Sequence, residues 1–199
     1  MVNQSKFNLR KFSIGVGDRF GHQGAAQLAA VQKVVDLGVH VTPVWNKSFR
    51  EHQIIGTTPQ DQRYAADQAV IDFGWQDAYY VDADHINLDN VDEFLAHCDF
   101  FTIDVADVIG QQADPESLDK AIRRQSRLVG PLVLVADQPT IDISIDVIKQ
   151  AAMKYVQATD TAGQIYQYIR DHKREPFEVE ISMDETDQPQ TCLLYTSPS

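Results

Sequence analysis

The segment Asp82-Ala83-Asp84-His85 sets two carboxylates and an imidazole close together in the chain. At the end of a β-strand, alternation sends Asp82 and Asp84 to one side, and His85 begins the loop beside them. Carboxylate plus imidazole suits a divalent transition metal such as Zn²⁺, Mn²⁺, Co²⁺ or Ni²⁺. The same residues elsewhere would be a helix cap followed by a surface histidine. Asp184-Glu185 recur just beyond a later β-rich run. A catalytic metal needs only about three protein ligands and an open position, so His85 and Glu185 read as two ligands, with Asp104 as a substitute.

The stretch Trp45-Asn46-Lys47-Ser48-Phe49-Arg50-Glu51-His52 gathers two cations, an acid and a histidine in an otherwise acidic chain. Arg offers a planar fork to a carboxylate and Lys a point charge, so the cluster suggests a carboxylated or phosphorylated small molecule. A solvated charged loop is the competing reading. Glu51 becomes a general acid or base if a pocket raises its pKa. Gly15-Val16-Gly17-Asp18-Arg19-Phe20-Gly21 resembles a dinucleotide-binding glycine turn, but Phe20 stands where the third glycine belongs and would obstruct close helix packing. It reads instead as a strand-to-loop turn aiming Asp18 and Arg19 into a pocket; a surface pairing of the two is the alternative.

These residues need a scaffold, and the hydropathy pattern supplies one. Strand-like runs at 11–16, 39–45, 78–81, 100–103 and 177–183 alternate with helical patterns over 22–37, 58–74, about 91–96, about 114–128 and about 144–172. Residues 130–143 hold a Val/Leu run that reads as an inserted strand or an irregular excursion. Alternating strands and helices predict an α/β fold with parallel strands, because parallel neighbours need a crossover. Asp18/Arg19, Asn46-Lys47-Ser48, Asp82/Asp84/His85, Asp104/Asp107 and Asp184/Glu185 each follow a successive strand. A TIM (β/α)₈ barrel builds its site at that rim, whereas an open doubly wound sheet concentrates ligands at one switch point. The expectation is therefore the N-terminal part of a TIM barrel ending after about the fifth strand, since a whole barrel takes roughly 250 residues.

Composition bounds the function. The 199 residues carry 17 basic and 29 acidic side chains, a formal net charge of -12, which repels phosphate backbones and anionic membranes. The partner expected is a small molecule, with neither nucleic acid nor membrane involved. No apolar run approaches the roughly 18 residues of a membrane span and no leader pattern opens the chain, so the expected location is cytoplasmic. Residues 192–199, Cys192-Leu193-Leu194-Tyr195-Thr196-Ser197-Pro198-Ser199, read like one translated frame of a transposon-end sequencing adapter. Residues 1–191 are then the expected partial-barrel catalytic domain. Cys98 is left as the one native cysteine, at helical spacing from Phe94 and Leu95, and reads as a buried side chain rather than a nucleophile.

Taken in order, Gly17-Asp18-Arg19-Phe20, Asn46-Lys47-Ser48 with Arg50-Glu51, Asp82-Ala83-Asp84-His85, Phe101-Thr102-Ile103-Asp104 and Ser182-Met183-Asp184-Glu185-Thr186-Asp187 resemble the tagaturonate epimerase family across residues 12–191. The resemblance implies a metal-dependent barrel isomerase of bacterial uronate catabolism that interconverts tagaturonate and fructuronate, or acts on related ketohexoses. The epimerised carbon is β to the ketone, so simple enolisation cannot invert it, and retro-aldol cleavage, rotation and re-addition is the economical route. On that reading Glu51, Asp82 and Asp104 handle protons. His85 and Glu185 hold the metal, and Asp18, Arg19, Lys47 and Arg50 bind the substrate. Two alternatives share the scaffold: another metal-dependent sugar isomerase or aldolase, and a non-catalytic sugar-acid-binding protein.

Overall fold

A computed structural model of the chain describes residues 9–133 and 140–183. They fall into two compact units. The first comprises residues 9–104 together with 165–182, and the second comprises 105–133, 140–164 and Met183.

The first unit is a parallel sheet with helices. Its strands are β1 (Phe12–Gly17), β2 (Val41–Ser48), β3 (Tyr80–Ile86), β4 (Phe100–Asp104) and β7 (Glu178–Ser182), ordered β1-β2-β3-β4-β7. Every neighbouring pair is parallel. Strand order therefore follows chain order with no reversal, so the sheet has no switch point of the doubly wound kind. Helices α1 (Gly24–Asp36), α2 (Phe49–Ile55) and α3 (Pro59–Phe73) connect the first three strands.

The local sequence explains these elements. Thr58 closes a capping box with Asp61, Pro59 opens α3 where its missing N–H is no loss, and Gly74 ends the helix at φ 73°. Ser48 and Glu51 form a second capping box, so β2 passes directly into α2. A loop was expected there; the strand in fact continues through Asn46-Lys47-Ser48. Helix α1 lies so close to α3 that a Cβ on Gly24 would stand 2.6 Å from the Ala69 Cβ. Arg63 of α3 bonds the His97 carbonyl at 2.7 Å and the Asp99 carboxylate at 2.6 Å, and Asp99 in turn accepts from the Val81 N–H at 2.7 Å. Where a short helix was expected at 91–96, a 3₁₀ turn spans Val91–Glu93.

Alternation divides the sheet into two faces. Trp45, Val81, Ala83, Phe101 and Ile103 are buried on one. On the other, Val44, Tyr80 and Phe100 form a buried cluster with Leu9 against it, and Asn46, Asp82 and Thr102 lie two residues further along their strands. Both edge strands carry exposed apolar side chains, Phe12 and Ile14 on β1 and Val179 and Ile181 on β7.

In the second unit, Asp114 caps α4 (Pro115–Gln125) through the N–H groups of Glu116 and Ser117, each at 3.0 Å. Leu118, Ala121 and Ile122 pack on Ala113, Ala152 and Val156. The last two belong to α5 (Ile145–His172). Strands β5 (Gly130–Leu132) and β6 (Ile141–Ile143), at the two ends of the inserted run, pair antiparallel. The adapter-like tail, Asp184 and Glu185 lie outside the described residues.

Candidate functional site

Asp82 lies within β3 and is 3% exposed. Its two oxygens accept from one residue of the neighbouring strand: the Thr102 N–H at 3.1 Å and the Thr102 hydroxyl at 2.9 Å. Burial pushes its pKa up to about 7, Asp84 and Glu180 add repulsion, and the Thr102 bonds only partly oppose them. A carboxyl in that range is poised both to take and to give a proton near neutral pH.

Register places other polar groups on the same face. Asn46 pairs with Asp82, Ser48 with Asp84, Gly17 with Asn46, and Asp104 with Ser182. Asp104 therefore shares a face with Thr102 and Asp82, at the end of β4. The Asn46 Oδ1 is buried and has no hydrogen-bond partner among the described residues. Asp84 accepts from His85, with 2.8 Å between its Oδ1 and the ring Nδ1.

His85 belongs to β3 rather than to the loop after it. The β3–β4 register slips between Ala83 and Ile86, and His85 has φ 56°, the one positive value at a non-glycine among the described residues. A bulge of this kind re-aims a side chain at a strand end. With Nδ1 donating to Asp84, a neutral His85 ring carries its lone pair on Nε2, the arrangement usual for a metal-ligating histidine. The chemistry of this pair fits part of a divalent-metal site. Among the described residues no three His, Cys, Asp or Glu side chains form a metal-holding group.

The basic cluster does not stay together. Lys47 pairs with Ala83 and so points opposite to Asp82; it is buried, and burial lowers its pKa while Asp18, Glu51 and Asp61 oppose that. Lys47 therefore lies on the helix-layer side of the sheet, opposite the face that carries Asp82. A cavity of about 20 Å³ beside it, bordered by Asp18, Trp45, Gln62 and Ala65, holds a water but not a sugar. Asp18 serves the start of α1, accepting from the His22 N–H at 3.1 Å and the Gln23 N–H at 2.6 Å. Arg19 donates to Glu51 at 2.9 Å, so the alternative of an Asp18–Arg19 surface pair is replaced. Glu51 also accepts from the Ser48 N–H at 3.2 Å. Its burial would raise its pKa, but the Ser48 N–H, Arg19 and Lys47 together hold it below the usual range. That is the opposite of what a general acid at neutral pH needs. Arg50 is exposed on α2.

Cys98 is buried as expected. Asn46 and Thr102 stood in sequence motifs without a role and Glu180 was not singled out; period-two alternation in Val44-Trp45-Asn46, Phe101-Thr102-Ile103 and Glu178-Val179-Glu180 was the available signal. No described helix is long and apolar enough to cross a membrane.

A parallel βα unit with chain-ordered strands and polar residues aligned on one sheet face belongs to the class that carries chemistry at the C-terminal ends of its strands. The profile of the tagaturonate epimerase family, UxaE, matches residues 1–195. The tagaturonate/fructuronate epimerase of Thermotoga maritima is 28% identical over 195 residues, covering 92% of this chain and 39% of that protein. The crystal structure of fructuronate-tagaturonate epimerase UxaE from Cohnella laeviribosi with one glycerol superposes with TM-score 0.68 at 21% identity, covering 92% of this chain and 39% of its own. Its two-glycerol form gives 0.66 and covers 89% and 38%. The chain belongs to the tagaturonate epimerase family, and it spans about two fifths of the length of these relatives.

Proposed function

We propose that this chain is the N-terminal part of a (β/α)₈-barrel isomerase that interconverts tagaturonate and fructuronate. The observation that carries the reading is the buried Asp82 with its pKa near 7, held by Thr102 on the face it shares with Asn46, Asp84 and Asp104. Family membership supplies the substrate pair, and the chain-ordered parallel sheet with exposed apolar edges supports the barrel.

In this reading Asp82 takes the proton of the C4 hydroxyl as the C3–C4 bond breaks. The bonding pair moves toward the C2 oxygen, leaving a three-carbon enediolate and a three-carbon aldehyde acid. The aldehyde turns about C4–C5, C3 attacks its other face, and Asp82 returns the proton to the new C4 oxygen. Asp104, on the same sheet face at the end of β4, is the second candidate for handling that proton. His85, oriented by Asp84, would hold a divalent metal, with Glu185 as the second candidate ligand. Such a metal supplies Lewis-acid polarisation of the ketone. Arg19 receives the substrate carboxylate, Glu51 fixes its guanidinium, and Arg50 adds charge at the rim.

Turnover in D₂O tests the route. Retro-aldol chemistry moves protons between oxygens, so the C4 hydrogen stays in place and the product carries no deuterium at C4. Deuterium at C4 overturns this mechanism.

A further inference from the structure

The main chain at Asp82 is held from the helix layer. Gln62 of α3 reaches the sheet, where its Nε2 donates to two carbonyls, that of Trp45 on β2 at 2.9 Å and that of Asp82 on β3 at 3.2 Å. With both amide hydrogens committed, the other end of the carboxamide can only accept. It does so from the His52 ring of α2, whose Nε2 lies 3.2 Å from the Gln62 Oε1, while the Thr57 hydroxyl stands 3.0 Å from Nδ1. The tautomer follows: the proton is on Nε2, and Nδ1 accepts from Thr57. Burial holds the ring below its ordinary pKa, which keeps it neutral for that role.

These polar groups stand in an otherwise apolar layer. Gln62 is 6% and His52 2% exposed, on the side of the sheet where Trp45, Val81, Ala83, Phe101 and Ile103 are buried. Apolar side chains of similar volume could fill such a space at little cost in stability, whereas a fully satisfied polar network fixes one arrangement. The sheet needs a fixture at this place. Just past Asp82 the β3–β4 register slips, since β3 advances from Ala83 to Ile86 while β4 advances from Phe101 to Ile103. A bulge interrupts the ladder on that side, so pairing with β4 alone does not set the strand that carries Asp82, Asp84 and His85.

Building on the epimerase reading, we propose that Gln62 is a positioning residue for Asp82, with His52 and Thr57 as its support. Thr102 fixes the carboxyl from β4, and Gln62 fixes the main chain that carries it by tying it to β2. Held at both ends, the acid has one place to stand when it takes the C4 hydroxyl proton. Proton transfer needs the heavy atoms within about 2.6–3.2 Å, and a displacement of about 1 Å can cost about 10²-fold in rate. Gln62 touches no reacting atom and acts only through Asp82.

The test is steady-state kinetics on both uronates with the protein at the full length of its relatives, at a temperature where thermal melts show each variant folded. Gln62→Met keeps the length and bulk of the side chain and removes the amide. Its kcat is expected to fall by about 10- to 100-fold with KM within about threefold. His52→Leu leaves both carbonyl bonds and removes only their support, so its kcat is expected to fall less, by about 3- to 10-fold. In the Asp82→Asn protein, Gln62→Met is expected to cost less than about twofold, because the group it positions has already lost its chemistry. A Gln62→Met kcat within about twofold of the parent's, or the same factor lost with and without Asp82→Asn, overturns the Gln62 assignment alone and leaves the residue as packing. If Gln62→Met does not fold, His52→Leu is read by the same two criteria. Absence of parent turnover on either uronate overturns the epimerase reading itself, and the assignment falls with it.

Discussion

Replacing Asp82 by asparagine should stabilise the protein as pH rises while removing its chemistry. The carboxyl is raised from 3.8 to about 7 in the folded state, chiefly by burial. Below the unfolded value both states hold the proton and the site costs nothing. As pH climbs toward 7 the unfolded chain ionises freely and the folded one does not, so stability is lost through that window and the loss is complete above it. The gap between the two values corresponds to about 4 kcal/mol. Asparagine carries no charge at any pH, and its Oδ1 and Nδ2 can keep both partners, accepting from the Thr102 N–H and donating to the Thr102 hydroxyl. Urea denaturation of both proteins at about pH 5 and about pH 8 should show the stability difference growing by about 2.5 kcal/mol in favour of asparagine. Turnover should fall by about 10²-fold or more. A stability difference that is flat with pH, or that shrinks as pH rises, would refute the argument that burial holds Asp82 protonated.

Three other substitutions separate structural roles from catalytic ones. Glu51→Gln keeps a capping-box acceptor and should cost about 1 kcal/mol by chemical denaturation, with turnover within about tenfold of the parent; a loss of about 10²-fold would return Glu51 to the proton chemistry. Lys47→Met keeps the buried stem and discards a charge that faces the helix layer, so steady-state kinetics should show KM changed by less than about threefold; a rise above about tenfold would put Lys47 on the substrate after all. Gly24→Ala drives a methyl to 2.6 Å from the Ala69 Cβ and should cost about 1–3 kcal/mol in a thermal melt, whereas an unchanged melting temperature would mean that α1 and α3 can separate freely.

The elements most legible in the sequence were those with strong punctuation. Thr58-Pro59 and Gly74 bounded α3 to the residue, Asp114-Pro115 opened α4, and the β-rich runs located the sheet strands because parallel strands buried on both faces are nearly continuous in hydrophobicity. Helix α2 was not seen, since the polar run 46–52 looks like a loop until Ser48 and Glu51 are recognised as a capping box. The same capping box bears on Lys47: a lysine in a loop is free to turn toward a ligand, whereas one in a strand has its face fixed by alternation. Asp82 was identified from residue type and spacing alone. Its partner Thr102 and its neighbours Asn46 and Glu180 depend on register between strands far apart in the chain, which one strand's sequence does not contain. The bend at His85 likewise arises from a slip against β4 rather than from any local turn residue.

The most direct test of the central claim is product analysis by NMR on the protein at the full length of its relatives, given fructuronate or tagaturonate with and without a chelator. The account predicts interconversion of the two uronates, lost on chelation and restored by a divalent metal. A folded protein that converts neither uronate, with or without added metal, would contradict it.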